Sequence, residues 1–252
     1  MKNSLRHLCP LAILALWQLV CMSGLVAPGK LASPLLVLQG LGELETIGLP
    51  PGYFLHAHVL YSLKLVGAGF LLALASGVPL GILIGGSRTA RTLLSPLLEF
   101  LRPVPPLAWI PLSMLWFGIG FPSACFIIFL GAFFPILVNT TAGVMNVPSG
   151  LVGAAQVLGA SQREIWQKVL LPASLPSVLI GVRLGMGIAW MTLVAAEFTG
   201  VQDGYGLGYM IMTARDLQRL DLILAGMAVI GLIGILIERL LALISRQLLH
   251  RR

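Results

Sequence analysis

Apolar residues along the 252-residue chain gather in blocks that stay almost uncharged for twenty or more positions. They run from Leu8 to Val26, Val59 to Ile84, Leu93 to Phe117, Ser123 to Val144, Leu175 to Phe198 and Leu222 to Ile244. Crossing about 30 Å of hydrocarbon takes about 20 apolar residues as helix, so the blocks predict six transmembrane helices. Glycine is frequent within them, as membrane helices tolerate and close helix contacts require. The third block is interrupted by Pro103, Pro105, Pro106 and Pro111, which remove backbone donors and break helix. Such backbone is tolerated at membrane depth only where it is buried in protein or lines a cavity. Strands of about ten alternating residues, the mark of a membrane β-barrel, do not occur.

Composition moves in the same direction. Hydrophobic residues make up 58% and charged residues only 10%, with mean hydropathy +0.96, against about 25% charged in soluble domains. The basic residues then orient the helices. Lys2 and Arg6, Arg88, Arg91 and Arg102, Arg163 and Lys168, and Arg239, Arg246, Arg251 and Arg252 fall at alternate ends of the blocks. Lysine and arginine mark the cytoplasmic side, so both termini and residues 148–173 are expected there. This rule and anionic lipid account for the +7 net charge, and no basic groove with interleaved aromatics points to nucleic acid. The first block has a basic start but a core of about nineteen residues with no clean cleavage site, and is expected to remain as a helix. Val20, ahead of Cys21, is bulky for a lipoprotein site. Cys9, Cys21 and Cys125 show neither metal spacing nor a disulfide framework.

One polar stretch stands apart: GAAQVLGASQREIWQKVLLP, residues 153 to 172. Ser149 suits the start of a short helix over 150–158, and Gly159 the left-handed turn that stops it. Ser161 and Glu164 have the spacing of a capping box for a second helix. Ile165, Trp166, Val169 and Leu170 give that helix an apolar side, and Pro172 and Pro176 punctuate entry into the next block. The pattern predicts a helix-turn-helix elbow whose small residues admit another surface closely. An amphipathic connector lying on the membrane satisfies the same pattern.

At these residues a resemblance becomes specific. Ala154-Ala155, three residues, Gly159, nine residues, then Val169-x-Leu171-Pro172 resembles the cytoplasmic loop of permease subunits of bacterial binding-protein-dependent ABC importers. That loop usually has Glu where Gly153 stands and Ile where Val169 stands. The resemblance extends over residues 55–245. Arg102-Pro-Val-Pro-Pro-Leu-Ala-Trp-Ile-Pro-Leu, Leu115-Trp-Phe-Gly-Ile-Gly and Gly131-Ala-Phe-Phe-Pro-Ile-Leu-Val-Asn139 are similar to the nitrate/sulfonate/taurine branch. So are Ala189-Trp190, Val194-Ala-Ala-Glu197 and Gly206-Leu-Gly-Tyr-Met-Ile.

The resemblance implies an all-α, type I permease bundle in the bacterial inner membrane. Residues 1–54 would be the first helix and an external linker, 55–245 the permease core, and 246–252 a basic tail. Two such subunits, as a homodimer, would form the pathway. Two separate ATPase subunits would carry ATP and Mg, and an extracytoplasmic binding protein would deliver a small anion. No cofactor would belong to this chain, and no catalytic residue. Gly153, Ala154, Ala155, Gly159, Val169, Leu171 and Pro172 would couple to the ATPase. Pro105, Pro106, Trp109, Asn139 and Glu197 are the candidates for pathway or gate. The chain has no GxxxxGK[ST] phosphate loop, so any ATP chemistry that drives it would lie elsewhere.

The alternative is a stand-alone secondary transporter or channel, which should carry internal repeats and coupling carboxylates inside the spans. No clear repeat is seen, and Glu197 is the only carboxylate well inside a block. An enzyme is disfavoured by the lack of a Ser/His/Asp grouping, an HExxH helix or paired carboxylates. His56 and His58 have metal-like spacing but no carboxylate close by in sequence, and a surface or interfacial role is expected. Glu99 and Arg102 are expected to act structurally at the cytoplasmic mouth, and Trp109, Trp116, Trp166 and Trp190 as packing anchors. Arg183 could snorkel to the headgroups, while Glu197, ahead of Gly200 and Asp203, is expected either to help form an outer gate or to be a helix-end carboxylate bonded to backbone amides.

Overall fold

The computed structural model describes residues 2–23, 30–198 and 204–250, all of them helical or in short connections. Val26, Gly200, Asp203, Arg251 and Arg252, which entered the expectations above, lie outside the described residues. The helices are α1 Lys2–Met22, α2 Pro34–Thr46, α3 Leu55–Gly86, α4 Arg88–Leu101, α5 Ile110–Phe117, α6 Phe121–Met145 and α7 Ser149–Val157. They continue as α8 Gln162–Glu164, α9 Leu171–Phe198, α10 Leu207–Asp216 and α11 Leu220–His250. Among the described residues, four continuous helices are long and apolar enough to cross a membrane: Leu55–Gly86, Phe121–Met145, Gln162–Phe198 and Leu220–Leu249. Ala12–Met22 and Pro106–Phe117 are apolar but shorter.

The third apolar block is therefore not one span. Pro103, Pro105 and Pro106 lack amide donors and so cannot continue the helix, and Pro105, ahead of Pro106, is extended at φ −57°, ψ 139°. The chain runs through α4, a 3-10 turn over Pro106–Trp109 and then the two turns of α5. α4 is amphipathic and buries none of its residues: Leu93, Leu97 and Phe100 are exposed on one side, with Arg88, Thr92, Ser95 and Glu99 on the other. The linker ahead of α3 is also more ordered than a connector. Ser33 caps α2 by accepting the Leu36 amide at 3.3 Å, and Pro34 occupies the first turn, where no donor is needed.

The chain divides into two compact units: Met1–Ser62 with Asp203–Ile233, and Leu63–Gln202 with Gly234–Arg252. In the first, polar contacts hold the short helices. Arg219 forks onto Glu43 at 2.6 and 3.0 Å and also meets Asp221 at 2.7 Å. These bonds, the Asp221 ones foremost, drive the guanidinium further above its ordinary pKa. His56 and His58 are not a metal pair. His56 Nδ1 lies 2.9 Å from Glu45 Oε1, a carboxylate partner eleven residues upstream that local sequence reading overlooked. His58 is buried and bonded on both ring nitrogens to backbone, from Gly206 to Nδ1 and from Nε2 to Leu49.

In the second unit, small residues let helices meet backbone to backbone. On α3, Gly69, Gly77, Gly81 and Gly85 face Ile128, Ile136, Thr140 and Val144 of α6, and a Cβ at any of the four would come within 2.6–3.1 Å of those side chains. Ala73, fully buried, occupies the missing step of the stripe. Gly181 and Gly185 of α9 meet Asn139 and Ile136 of α6 in the same way, and Gly143 of α6 meets Ser177. Lipid is as apolar as leucine, so packing of this kind rather than water exclusion joins membrane helices. Arg183, expected to snorkel, has its guanidinium 4.0 Å from Glu238, a half-exposed pair worth little.

Candidate functional site: the elbow and the aromatic wall

α6 ends at Met145, and Pro148 sets the extended entry to α7 at φ −56°, ψ 127°. Pro148, not Ser149, is the N-cap, and Ser149 makes no capping bond. α7 buries none of its residues. At its end Leu158 closes the last turn, Gly159 adopts φ +79°, its amide meets the Gln156 carbonyl at 2.9 Å, and the Ala160 amide meets Ala155 at 3.0 Å. This is a Schellman stop, in which the residue after the helix must be left-handed. A Cβ at Gly153 or Gly159 would touch nothing within 4 Å, so the elbow surface is open at both. Ala154 is exposed and Ala155 half-buried. Val157 and Leu158 are the outermost side chains, 89% and 86% exposed. Two bare apolar residues at the tip of a turn went unnoticed in the sequence, although their position next to the turn glycine was the available signal.

The second arm begins with the expected capping box. Ser161 Oγ accepts the Glu164 amide at 3.4 Å, and Glu164 Oε2 accepts the Ser161 amide at 3.0 Å. Lys168 Nζ reaches Glu164 Oε1 at 2.9 Å. Lys168 first, then Ser161, push the Glu164 carboxyl down to about 2, so it is ionised at any physiological pH. From Ile165 to Leu170 the helix widens to π geometry before α9 resumes regular winding. Pro172 has no amide to offer the carbonyl four residues back, which favours the wider turn ahead of it. Val169 and Pro172 are half-buried and Leu171 partly exposed at this junction. Ile165 is buried.

The pathway candidates lie apart from the elbow. Pro105 caps the 3-10 turn and Pro106 starts it. Trp109 meets Phe126 of α6 edge-on at 6.5 Å, and Trp116 and Phe117 of α5 approach the same ring. Phe126, Phe129 and Phe133 continue that aromatic wall along α6. Asn139 donates to the Pro135 carbonyl at 2.9 Å and packs on Gly181. Glu197, near the end of α9, is 1% exposed. A cleft of about 230 Å³ lies between α4 and α6, with Ser95, Glu99, Arg102 and Thr141 among its walls. No group of three His, Cys, Asp or Glu among the described residues is placed to hold a metal ion.

Among the described residues the chain thus combines four helices long and apolar enough to cross a membrane with an exposed helix-turn-helix elbow tipped by bare apolar residues. Residues 77–252 match the family described as binding-protein-dependent transport system inner membrane component, and the chain belongs to that family, the permease components of ABC importers. ATP hydrolysis in such a system belongs to a separate subunit. Over 239 residues the chain is 40% identical to the taurine transport system permease protein TauC of Escherichia coli, covering 94% of this chain and 85% of that one. It is 34% identical over 254 residues to the nitrate import permease protein NrtB of Leptolyngbya laminosa, covering 96% and 88%. Among solved structures, an inward-facing MetNI methionine ABC transporter shares the fold, with TM-score 0.65 and 22% identity over 76% of this chain.

Proposed function

We propose that this permease imports a small oxyanion, an organic sulfonate, taurine or nitrate-like, as a homodimer. It takes its drive from two ATPase subunits seated on residues 153–160. Both termini and the elbow face the cytoplasm. An extracytoplasmic binding protein hands the solute over on the other side. The observation that carries the coupling reading is the tip of α7: Val157 and Leu158 stand bare beside small, unobstructed positions. In water such a tip is apolar surface without a purpose; in a cleft of a partner it is an anchor. The taurine and nitrate permeases named above support the solute class.

The test is uptake of labelled taurine, ethanesulfonate and nitrate into proteoliposomes holding the permease, its cognate ATPase and its binding protein. Saturable, ATP-dependent uptake of one of these supports the reading. Uptake of none, with a binding protein that binds none, rejects the solute class. Maleimide labelling of a Gln162→Cys variant from the cytoplasmic side alone supports the orientation, and labelling from outside overturns it.

A further inference from the structure

The elbow is fastened to the bundle at a second place besides the chain itself. Trp166, in the π-helical segment, points the edge of its indole at Gly86 at the end of α3, where any Cβ would overlap the ring edge. Gly86 is an exposed position whose missing side chain makes the seat. The corner that follows is braced. Arg91 donates to the carbonyls of Ile84 and Gly85 at 3.3 and 2.6 Å, satisfying the end of α3, and Ser87 caps α4 by accepting the Ala90 amide at 3.3 Å. The preceding residue, Gly85, is already packed on Val144 of α6. Ile165, next to the indole, is buried.

We propose that Trp166 on Gly86 is the lock that makes the elbow one rigid body with α3, α6 and α9, so that a push on α7 moves the three helices together. Without it the elbow would be held only by its two chain connections, the short turn from α6 at residues 146–148 and the irregularly wound π segment that leads into α9. Packed interfaces between rigid elements carry a displacement that a hinge absorbs. α4, which buries nothing and follows the braced corner, is then the element left to shift against the block, and it forms one wall of the cleft beside Glu99 and Arg102. Trp166 is in this sense a positioning residue. The inference rests on the reading of α7 as the ATPase contact.

The experiment uses the complete transporter in nanodiscs, with native cysteines replaced and spin labels at Gln167→Cys and Leu83→Cys, one on each side of the lock. The expected wild-type result is a narrow distance within each subunit, distinct from the distances between the two copies and unchanged between nucleotide-free and vanadate-trapped states. Trp166→Ala should broaden that distance and make it nucleotide-dependent. It should also lower solute moved per ATP hydrolysed by about two- to thirty-fold, the span that residues in coupling networks produce. Trp166→Phe should restore both. Gly86→Ala, which wedges the ring out, should mimic Trp166→Ala, and the two changes together should be no worse than either alone. A wild-type distance that changes on trapping, or a Trp166→Ala protein with narrow distance and full coupling, overturns the proposal. ATPase co-purification, measured on the same samples, reports separately on the α7 contact. Its loss in variants of the α7 tip with the distance still narrow leaves the lock standing, and its persistence there rejects the contact instead.

Discussion

His58 Nδ1 accepts the amide of Gly206 at 3.0 Å, joining positions 148 residues apart in the chain. On the other side of the ring, Nε2 lies 3.0 Å from the Leu49 carbonyl. An amide needs a lone pair and a carbonyl needs a proton, so the two bonds together select the neutral ring protonated on Nε2. Four residues on, Ser62 Oγ accepts the Leu207 amide at 2.9 Å. The first turns of α3 thus hold both backbone donors that open α10. Tyr53 and Tyr205 meet at a 44° tilt beside the imidazole, their ring centres 4.7 Å apart.

His58→Ala would strip partners from two buried backbone groups, each worth about 1–3 kcal/mol when left unsatisfied. The expected outcome is a clear fall in the unfolding temperature of the purified protein and faster proteolysis around residues 204–208. Ser62→Ala, which orphans one group, should show about half the effect. Wild-type melting and proteolysis in both variants would mean that water or rearranged backbone replaces these bonds.

Gly159 supplies a sharper contrast, because its conformation and its surroundings ask for different things. The φ of +79° disfavours any side chain, yet a Cβ would meet no atom within 4 Å. Strain alone then sets the cost, about 1–2 kcal/mol for an ordinary residue in left-handed geometry. Asparagine adopts that geometry more readily. Gly159→Asn should therefore keep most ATPase binding and uptake, whereas Gly159→Val should lose both while the transmembrane part melts normally. Equal behaviour of the two variants would show that volume, not conformation, matters at the turn.

The exposed pair at the α7 tip separates docking from folding. Val157 and Leu158 contribute almost nothing to the interior. Val157→Asp with Leu158→Glu should leave expression and melting unchanged within about 0.5 kcal/mol, as surface changes do. Hot-spot apolar anchors cost about 2 kcal/mol or more when removed, so the ATPase affinity should fall at least about thirty-fold. Co-purification with the ATPase and binding-protein-stimulated hydrolysis measure it. Undiminished co-purification would move the contact elsewhere on the cytoplasmic face.

The chain's own pattern disclosed the class of fold because hydrocarbon thickness imposes a length that composition reveals directly. The elbow was legible for a related reason: Gly159 and the Ser161–Glu164 box encode their geometry locally, and both appear where expected. What stayed hidden depends on partners distant in sequence. Nothing near His56 announces Glu45, and nothing near His58 announces Gly206. In the third block the prolines marked a break in the helix, but hydropathy summed over the block still counted one span where Pro103, Pro105 and Pro106 leave α4, a 3-10 turn and α5. Trp166 was readable as a packing anchor, but its seat was not, since a glycine such as Gly86 leaves no positive mark in sequence.

The glycine stripe of α3 yields a prediction whose sign depends on which face of one helix is changed. At Gly81 a methyl would sit 2.6 Å from Thr140 Cβ and 2.9 Å from the Leu137 carbonyl oxygen. Neither is the far end of a flexible side chain, so α3 and α6 would have to part, at about 1–3 kcal/mol as overpacking costs. At Gly67, on the same helix, a methyl would meet nothing within 4 Å. There the helix gains the propensity difference between alanine and glycine, about 1 kcal/mol in a water-soluble host. Gly81→Ala should therefore lower the melting temperature in detergent and Gly67→Ala should hold or raise it. Loss of stability at both positions would show that glycine is needed along α3 for flexibility, not for the close approach of α6.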